Sequence, residues 1–353
     1  MQDPKKEIQT LFDTLVSQGG SDLHLSSGRQ PFIRINGELI PLADHQLYER
    51  ADTLQILSLL VSEKNIEQLH NNEEIDFSYD HHKDLRLRGN AYIQQGAISI
   101  ALRAIEKVKT FEALKLPQVL RHFTAQQQGF FLVVGPVGVG KSTTLAAMVD
   151  TINEQRKEHI ITIESPIEHI FEEKNSIIDQ REVGRDTLSF HKGIEAVFRQ
   201  DVNVIMIGEM RTPETIATAV TAAETGHLVF STLHTNNAAQ TIDRIIDSFP
   251  AVQQDQIRAQ LAGSLLGIFS QRLIPGLEGG RVLAYELLIN TPAVANIIRD
   301  GRTHELDTII ETSSSEGMIS LNRSLLELVR NGSISQESAL DYSLQPEEFK
   351  KLI

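Results

Sequence analysis

Apolar residues recur at Ile8, Leu11, Phe12, Leu15 and Val16, the spacing of one helix face, and Gly19-Gly20 stops the run. Strict alternation follows in Asp22-Leu23-His24-Leu25-Ser26 and in Phe32-Ile33-Arg34-Ile35, with Asn36-Gly37 as a hairpin turn into Glu38-Leu39-Ile40. A leucine-rich helix is expected over 53–61, and two more alternating strands over 85–93 and 98–103. Together these predict an α+β module over residues 1–105. Residues 106–117 are charged and end at Pro117, which places a linker there. From Val119 the rhythm changes. Apolar strand candidates at 130–134, 160–163, 204–207 and 228–232 alternate with helical segments, the βα order of a mostly parallel sheet covered on both faces. Beyond Asn290, apolar spacing over 293–298, 306–310 and 321–329 predicts a helical end to a second domain running over 118–353.

Composition narrows the setting. The 353 residues suffice for two domains, each with a core of its own. A formal charge of −14 argues against a nucleic-acid partner, because phosphate backbones need clustered Lys and Arg. There is no cysteine, so neither disulfides nor thiolate metal sites are available. The residues after Met1 start an amphipathic pattern and not an apolar signal core, and no apolar stretch reaches the roughly 18–20 residues that cross a bilayer. A cytoplasmic chain without direct membrane insertion is expected.

The strand at 130–134 runs into Gly135-Pro136-Val137-Gly138-Val139-Gly140-Lys141-Ser142-Thr143, and an Ala- and Leu-rich helical stretch over 143–151 follows. Strand, G-x-x-x-x-G-K-[ST] loop and helix in that order form a P-loop, whose backbone N–H groups and helix N-terminus cradle phosphates. Lys141 is placed to reach the β- and γ-phosphates and Ser142 to ligate Mg²⁺. Two later strands end in carboxylates. Val204–Ile207 leads through Gly208 to Glu209, a position suited to holding Mg²⁺ or its water. The strand at 160–163 delivers Glu164 and, past Pro166, Glu168; either carboxylate there can take a proton from an attacking water. A helix cap or a surface role fits Glu168 equally well. His227 and His234 bracket the strand at 228–232. His227 is the favoured γ-phosphate sensor of the two, and no third ligand at useful spacing makes them a metal pair.

Several of these segments, in this order, resemble the secretion-superfamily ATPases and, within them, the PilT-type retraction motors of type IV pili. The resemblance covers nearly the whole chain. It rests on 21–26 with 34–38, the P-loop, an Asp-box-like 162–168, the run Gln180-Arg181-Glu182-Val183-Gly184-Arg185-Asp186-Thr187, a Walker-B-like 208–211 and a His-box-like 221–230. Ser165, Asn203, Thr212 and Ala295 depart from the usual motif residues. The resemblance implies a PAS-like N-terminal domain joined to a RecA-like P-loop ATPase domain, with ATP and Mg²⁺ as cofactors. It further implies a homohexamer at the inner face of the cytoplasmic membrane, pulling on a pilus platform protein there.

Leu85-Arg86-Leu87-Arg88 puts both arginines on one strand face, and Arg103 ends the next strand. An exposed sheet face accounts for any one of them. The resemblance implies that such arginines reach a neighbouring subunit's nucleotide. Two other functions stay open: a pilus-assembly or type II secretion ATPase, which usually carries a four-cysteine zinc element absent here, and a nucleotide-bound scaffold with little turnover.

Overall fold

In a computed structural model of the chain, residues 3–352 are described apart from 36, 72, 73, 83 and 84. The chain divides into two compact units at Lys107/Val108.

The first unit holds the strands β1 (Asp22–Ser26), β2 (Phe32–Ile35), β3 (Glu38–Pro41), β4 (Ile75–His82), β5 (Leu85–Gln94) and β6 (Ala97–Lys107), with helices α1 (Pro4–Ser17), α2 (Arg50–Leu60) and α3 (Glu63–His70). Its strands lie antiparallel in the order β3-β2-β1-β6-β5-β4. This is the smaller α+β domain that the patterning implied. Asp3 caps α1 by accepting from the Lys5 and Lys6 N–H groups, and Pro4 suits its first turn. The buried face of α1 (Ile8, Leu11, Phe12, Leu15) meets Leu23, Leu25, Ile33, Leu87 and Leu102 in one core. Alternation thus sends Leu85 and Leu87 inward and Arg88 outward, with Arg86 partly covered on the same face as Arg88. Asn36 of the expected hairpin turn lies outside the described residues. Strand β4 and α3 had no clear pattern in the sequence.

The second unit contains α4 (Leu120–Thr124), β7 (Gly129–Val134), α5 (Lys141–Gln155), β8 (His159–Glu164), β9 (His169–Ile170), β10 (Ile177–Glu182), α6 (Phe190–Val197), β11 (Val204–Ile207), α7 (Pro213–Glu224), β12 (Leu228–Leu233), α8 (Ala238–Asp247) and α9 (Ala251–Ser264). It continues through β13 (Leu265–Pro275), β14 (Arg281–Ile289), α10 (Pro292–Arg299), α11 (Leu306–Thr312), α12 (Leu321–Arg330), α13 (Gln336–Tyr342) and α14 (Pro346–Phe349). The sheet order is β10-β8-β11-β12-β7-β13-β14, parallel except for the β13–β14 pair. This is the RecA-like α/β architecture.

Each strand of the middle alternates between two cores. Phe130, Leu132 and Val134 face α7–α10, whereas Phe131 and Val133 face α5 and α4. Every residue of β7, β11 and β12 is buried, and burying such side chains contributes about 1.5–3 kcal/mol each. That explains why these strands read as mostly apolar rather than alternating. Phe111 and Leu116, in the charged stretch before Pro117, are buried in the second unit's core. Among the described residues no helix is long and apolar enough to cross a membrane.

Candidate active site

Register decides which residues meet. Val134 pairs with Leu233, Ser231 with Ile207, and Ile207 with Ile163. The residues just beyond these, Gly135, His234, Glu209 and Glu164, therefore come off one edge of the sheet. Gly135 has φ +145, and a Cβ there would stand 2.6 Å from the Gln271 carbonyl oxygen, so only glycine fits. Gly140, at φ +85, caps α5, a 15-residue helix. Its first-turn N–H groups and dipole favour an anion at the loop.

Strand β13 braces the loop from below. Gln271 donates through Nε2 to the Val139 carbonyl (2.6 Å) and accepts from the Thr144 hydroxyl (3.0 Å). Arg272 donates to the Gln271 carbonyl (2.9 Å) and to the Asn236 carbonyl (3.0 Å). Both are buried. Neither residue stood out in the sequence, because polar residues in the middle of Leu265–Pro275 disguise a buried strand. Apolar runs on both sides of the glycine-rich turn at 276–280 were the available signal.

Lys141 is buried, and its ammonium donates to the Gly135 (3.0 Å) and Pro136 (2.9 Å) carbonyls and to His234 Nδ1 (3.2 Å). Burial pulls it below the usual lysine range; the Glu168 and Glu209 carboxylates oppose that shift and the Arg272 guanidinium adds to it. Glu209 pairs with Arg211 Nε at 2.9 Å and lies 3.9 Å from His234 Nε2. Burial lowers the His234 pKa, as does the nearby Lys141 charge, so a neutral imidazole accepts from the lysine. A cavity of about 670 Å³, lined in part by Met210, Arg211, Leu233, His234 and Arg244, lies beside this cluster.

Glu164 is 3% exposed, at the end of β8. Burial raises its pKa to about 7, against three donors that favour the charged form. These are the Thr162 hydroxyl (2.6 Å), the Glu168 N–H (3.3 Å) and the Gln180 amide (3.4 Å). A carboxyl pushed up by burial, on the sheet edge from which the phosphate loop also leaves, is suited to proton transfer. Glu168 is exposed and close enough to act on both Lys141 and Glu164 electrostatically.

The structure does not bring His227 to this edge. It precedes β12 at the opposite end of a six-residue strand, about 20 Å away by strand rise. There its Nδ1 lies 3.0 Å from the Ala222 carbonyl, and its ring meets Phe198 edge-on. Of the two histidines it is His234 that comes to Lys141, because β12 runs parallel to β7 and only its C-terminal end reaches the loop. Two departures from motif also have structural parts to play. Thr212 caps α7 (Thr215 N–H, 3.4 Å), as an Asp would, and Asn203 accepts from the His159 N–H (2.9 Å) at the far end of the sheet.

Arg86, Arg88 and Arg103 belong to the first unit. Arg88 lies directly opposite Arg103, and Arg103 opposite Asp22. Arg103 donates to Asp22 at 2.8 Å yet its side chain stays 70% exposed; Arg88 is exposed, and Arg86 lies 3.4 Å from Asp80. Leu85 and Leu87 are buried on the reverse face.

Among the described residues no three His, Asp or Glu side chains form a metal cage. Ser142, in the first turn of α5, and Glu209, just past β11, carry oxygen donors of the class Mg²⁺ takes.

Residues 5–279 match the family model described as "Type II/IV secretion system protein". The chain is 42% identical to the Pseudomonas aeruginosa type IV pilus retraction ATPase PilT over 97% of its length and 100% of that relative's. It is 41% identical to a Neisseria gonorrhoeae twitching motility protein over 88% of this chain and 83% of that one. The crystal structure of the pilus retraction motor PilT with bound ADP superposes with a TM-score of 0.90 at 42% identity, covering 97% of this chain and 98% of that one. A P-loop with its acidic and histidine partners on one sheet edge, in a chain alike from end to end, has one consequence: this protein belongs to the type II/IV secretion system protein family.

Proposed function

We propose that this chain is a Mg²⁺-dependent ATPase that works as a homohexameric motor retracting type IV pili. The observation that carries the reading is the grouping of Lys141, His234, Glu209 and Glu164 at the P-loop edge. On this reading Lys141 leaves the Gly135 and Pro136 carbonyls for the β- and γ-phosphates; Ser142 and Glu209 would hold Mg²⁺, which would supply positive charge to the phosphate oxygens when bound. Glu164 takes a proton from water as its oxygen attacks the γ-phosphorus; the bond to the β–γ bridging oxygen breaks, and ADP and phosphate are the products. Glu168 tunes the charge of Lys141 and Glu164. His234, bonded to Lys141, responds when the γ-phosphate is lost. Arg86, Arg88 and Arg103 reach the nucleotide of the adjacent subunit and supply positive charge there.

The similarity to retraction motors over the full length, and the absence of cysteines, favour retraction over assembly or secretion. The ring docks on an inner-membrane platform protein from the cytoplasmic side. Thr212 and Asn203 keep structural roles and remove no reacting group, which weighs against a scaffold with little turnover. Steady-state ATPase assays of Lys141→Ala and Glu209→Ala test the chemistry, with turnover expected to fall at least a hundredfold in each; near-wild-type rates overturn it. Deletion of the gene in its host tests direction: hyperpiliation without twitching supports retraction, and loss of pili contradicts it.

A further inference from the structure

The run Gln180–Thr187 stands out in the sequence but takes no part in the ATPase mechanism. Its place in the fold explains it. Gln180 and Glu182 lie on β10, the edge strand, paired in parallel with β8 so that Gln180 faces Thr162 and Glu182 faces Glu164. From there their side chains reach over the segment that follows Glu164. Gln180 Nε2 donates to the His169 carbonyl (2.8 Å) and to Glu164 Oε1 (3.4 Å), while its Oε1 accepts from the Phe171 N–H (3.2 Å). Glu182 Oε2 accepts from the Ile167 N–H at 3.4 Å. Thr162, fully buried two residues before Glu164 on the same strand face, donates its hydroxyl to Glu164 Oε1 at 2.6 Å. A buried hydroxyl in a strand otherwise built of isoleucine is costly unless bonded, and its bond goes to this carboxylate.

We propose that Thr162 and Gln180 are positioning residues for Glu164: they fix its carboxylate at the sheet edge and lash the 165–171 segment to β10. This rests on the reading of Glu164 as the base of ATP hydrolysis. The chemistry follows from the donors. For a carboxylate nearly out of water, hydrogen bonds to the charged form offset part of the cost of burial, and three donors do this for Glu164. Removing the shortest of these bonds destabilises the ionised, proton-accepting state and frees the side chain to turn. The nucleotide is held elsewhere, by the P-loop, so its affinity does not depend on these two residues.

The test is the pH dependence of kcat, from about pH 5.5 to 9, for Thr162→Val, Thr162→Ser and Gln180→Leu, with binding of a fluorescent ADP analogue measured alongside. In Thr162→Val the acid limb should move up by about one pH unit, with kcat near neutrality about tenfold lower. Thr162→Ser, which restores the hydroxyl, should bring both back. Gln180→Leu, losing a longer bond, should move the limb in the same direction by less. ADP affinity should stay within about twofold throughout. An unmoved acid limb in both Thr162→Val and Gln180→Leu overturns the inference. So does a Thr162→Ser protein that behaves like Thr162→Val, since packing alone would then be at stake. If Thr162→Val does not fold, Gln180→Leu and Thr162→Ser decide the matter. Glu164→Gln separates the two levels: if it keeps full turnover, the reading of Glu164 as base fails and this inference with it. If it loses turnover while the limbs stay put, only the positioning role fails.

Discussion

At the residue scale, the sequence favoured His227 over a histidine seven positions further on, and the strand between them reverses that preference. A parallel strand presents its two ends to opposite edges of the sheet, and only His234 shares an edge with Lys141. His234→Ala should therefore lower kcat by about a hundredfold. His227→Ala should cost about 1 kcal/mol of stability through the lost Ala222 bond, with turnover unchanged. Equal loss of ATPase rate in both variants contradicts the assignment. The carboxylates at strand ends were legible because an apolar run that stops at Glu marks where a buried strand leaves the core. Gln271 and Arg272 were not, since burial of a polar side chain shows only once its partners do.

At the element scale, a buried carboxyl on β14 ties that strand to α8. Glu286 is buried and accepts from the Ala238 N–H at the start of α8 (2.8 Å). Burial raises its pKa to about 7 from an ordinary 4.5; the Asp307 carboxylate adds to this and the Arg272 guanidinium opposes it. A raised folded-state pKa means that the folded protein holds this proton more tightly than the unfolded chain does. The stability from that proton is complete below about pH 4.5 and is lost as pH rises through 7, a loss on the order of 3 kcal/mol. Glu286→Gln keeps the acceptor oxygen for Ala238 and carries no charge. Thermal unfolding should show the variant more stable than wild type at about pH 8, with the gap closing towards pH 5; a gap independent of pH would falsify this. Elements with a regular apolar period were legible, with ends a few residues off: the helix expected over 53–61 is Arg50–Leu60 and the strand over 98–103 is Ala97–Lys107. Strands β10 and β13 escaped because they turn polar side chains towards the site: Gln180 and Glu182 in one, Gln271 and Arg272 in the other.

For the whole molecule, the proposal that an arginine of one subunit serves its neighbour's nucleotide has a direct consequence. Arg88→Ala and Lys141→Ala proteins should each be nearly inactive alone. Mixed and reassembled, they should recover a fraction of wild-type turnover, because some interfaces then join an intact loop to an intact arginine. ATPase assays of the mixture against the separate proteins measure it. No recovery places the arginine's effect within its own subunit. Alternation puts Arg86 and Arg88 on one face and Leu85 and Leu87 in the core; Arg88 is exposed there and available for such a role, whereas the Arg86 side chain is only 15% exposed.

What the amino-acid order determined alone is what local rules govern: the two-domain plan, the P-loop between an apolar strand and a helix, and the carboxylates at strand ends. These depend on spacing and on turn chemistry, which neighbours in sequence carry. What only the tertiary structure decided is which edge each residue comes to. Strand order and register put His234 and not His227 beside Lys141. They set Gln271 beneath the loop from more than a hundred residues away and hung Gln180 over Glu164. Hydrogen bonds between strands distant in sequence make those choices, and no window of adjacent residues contains both partners.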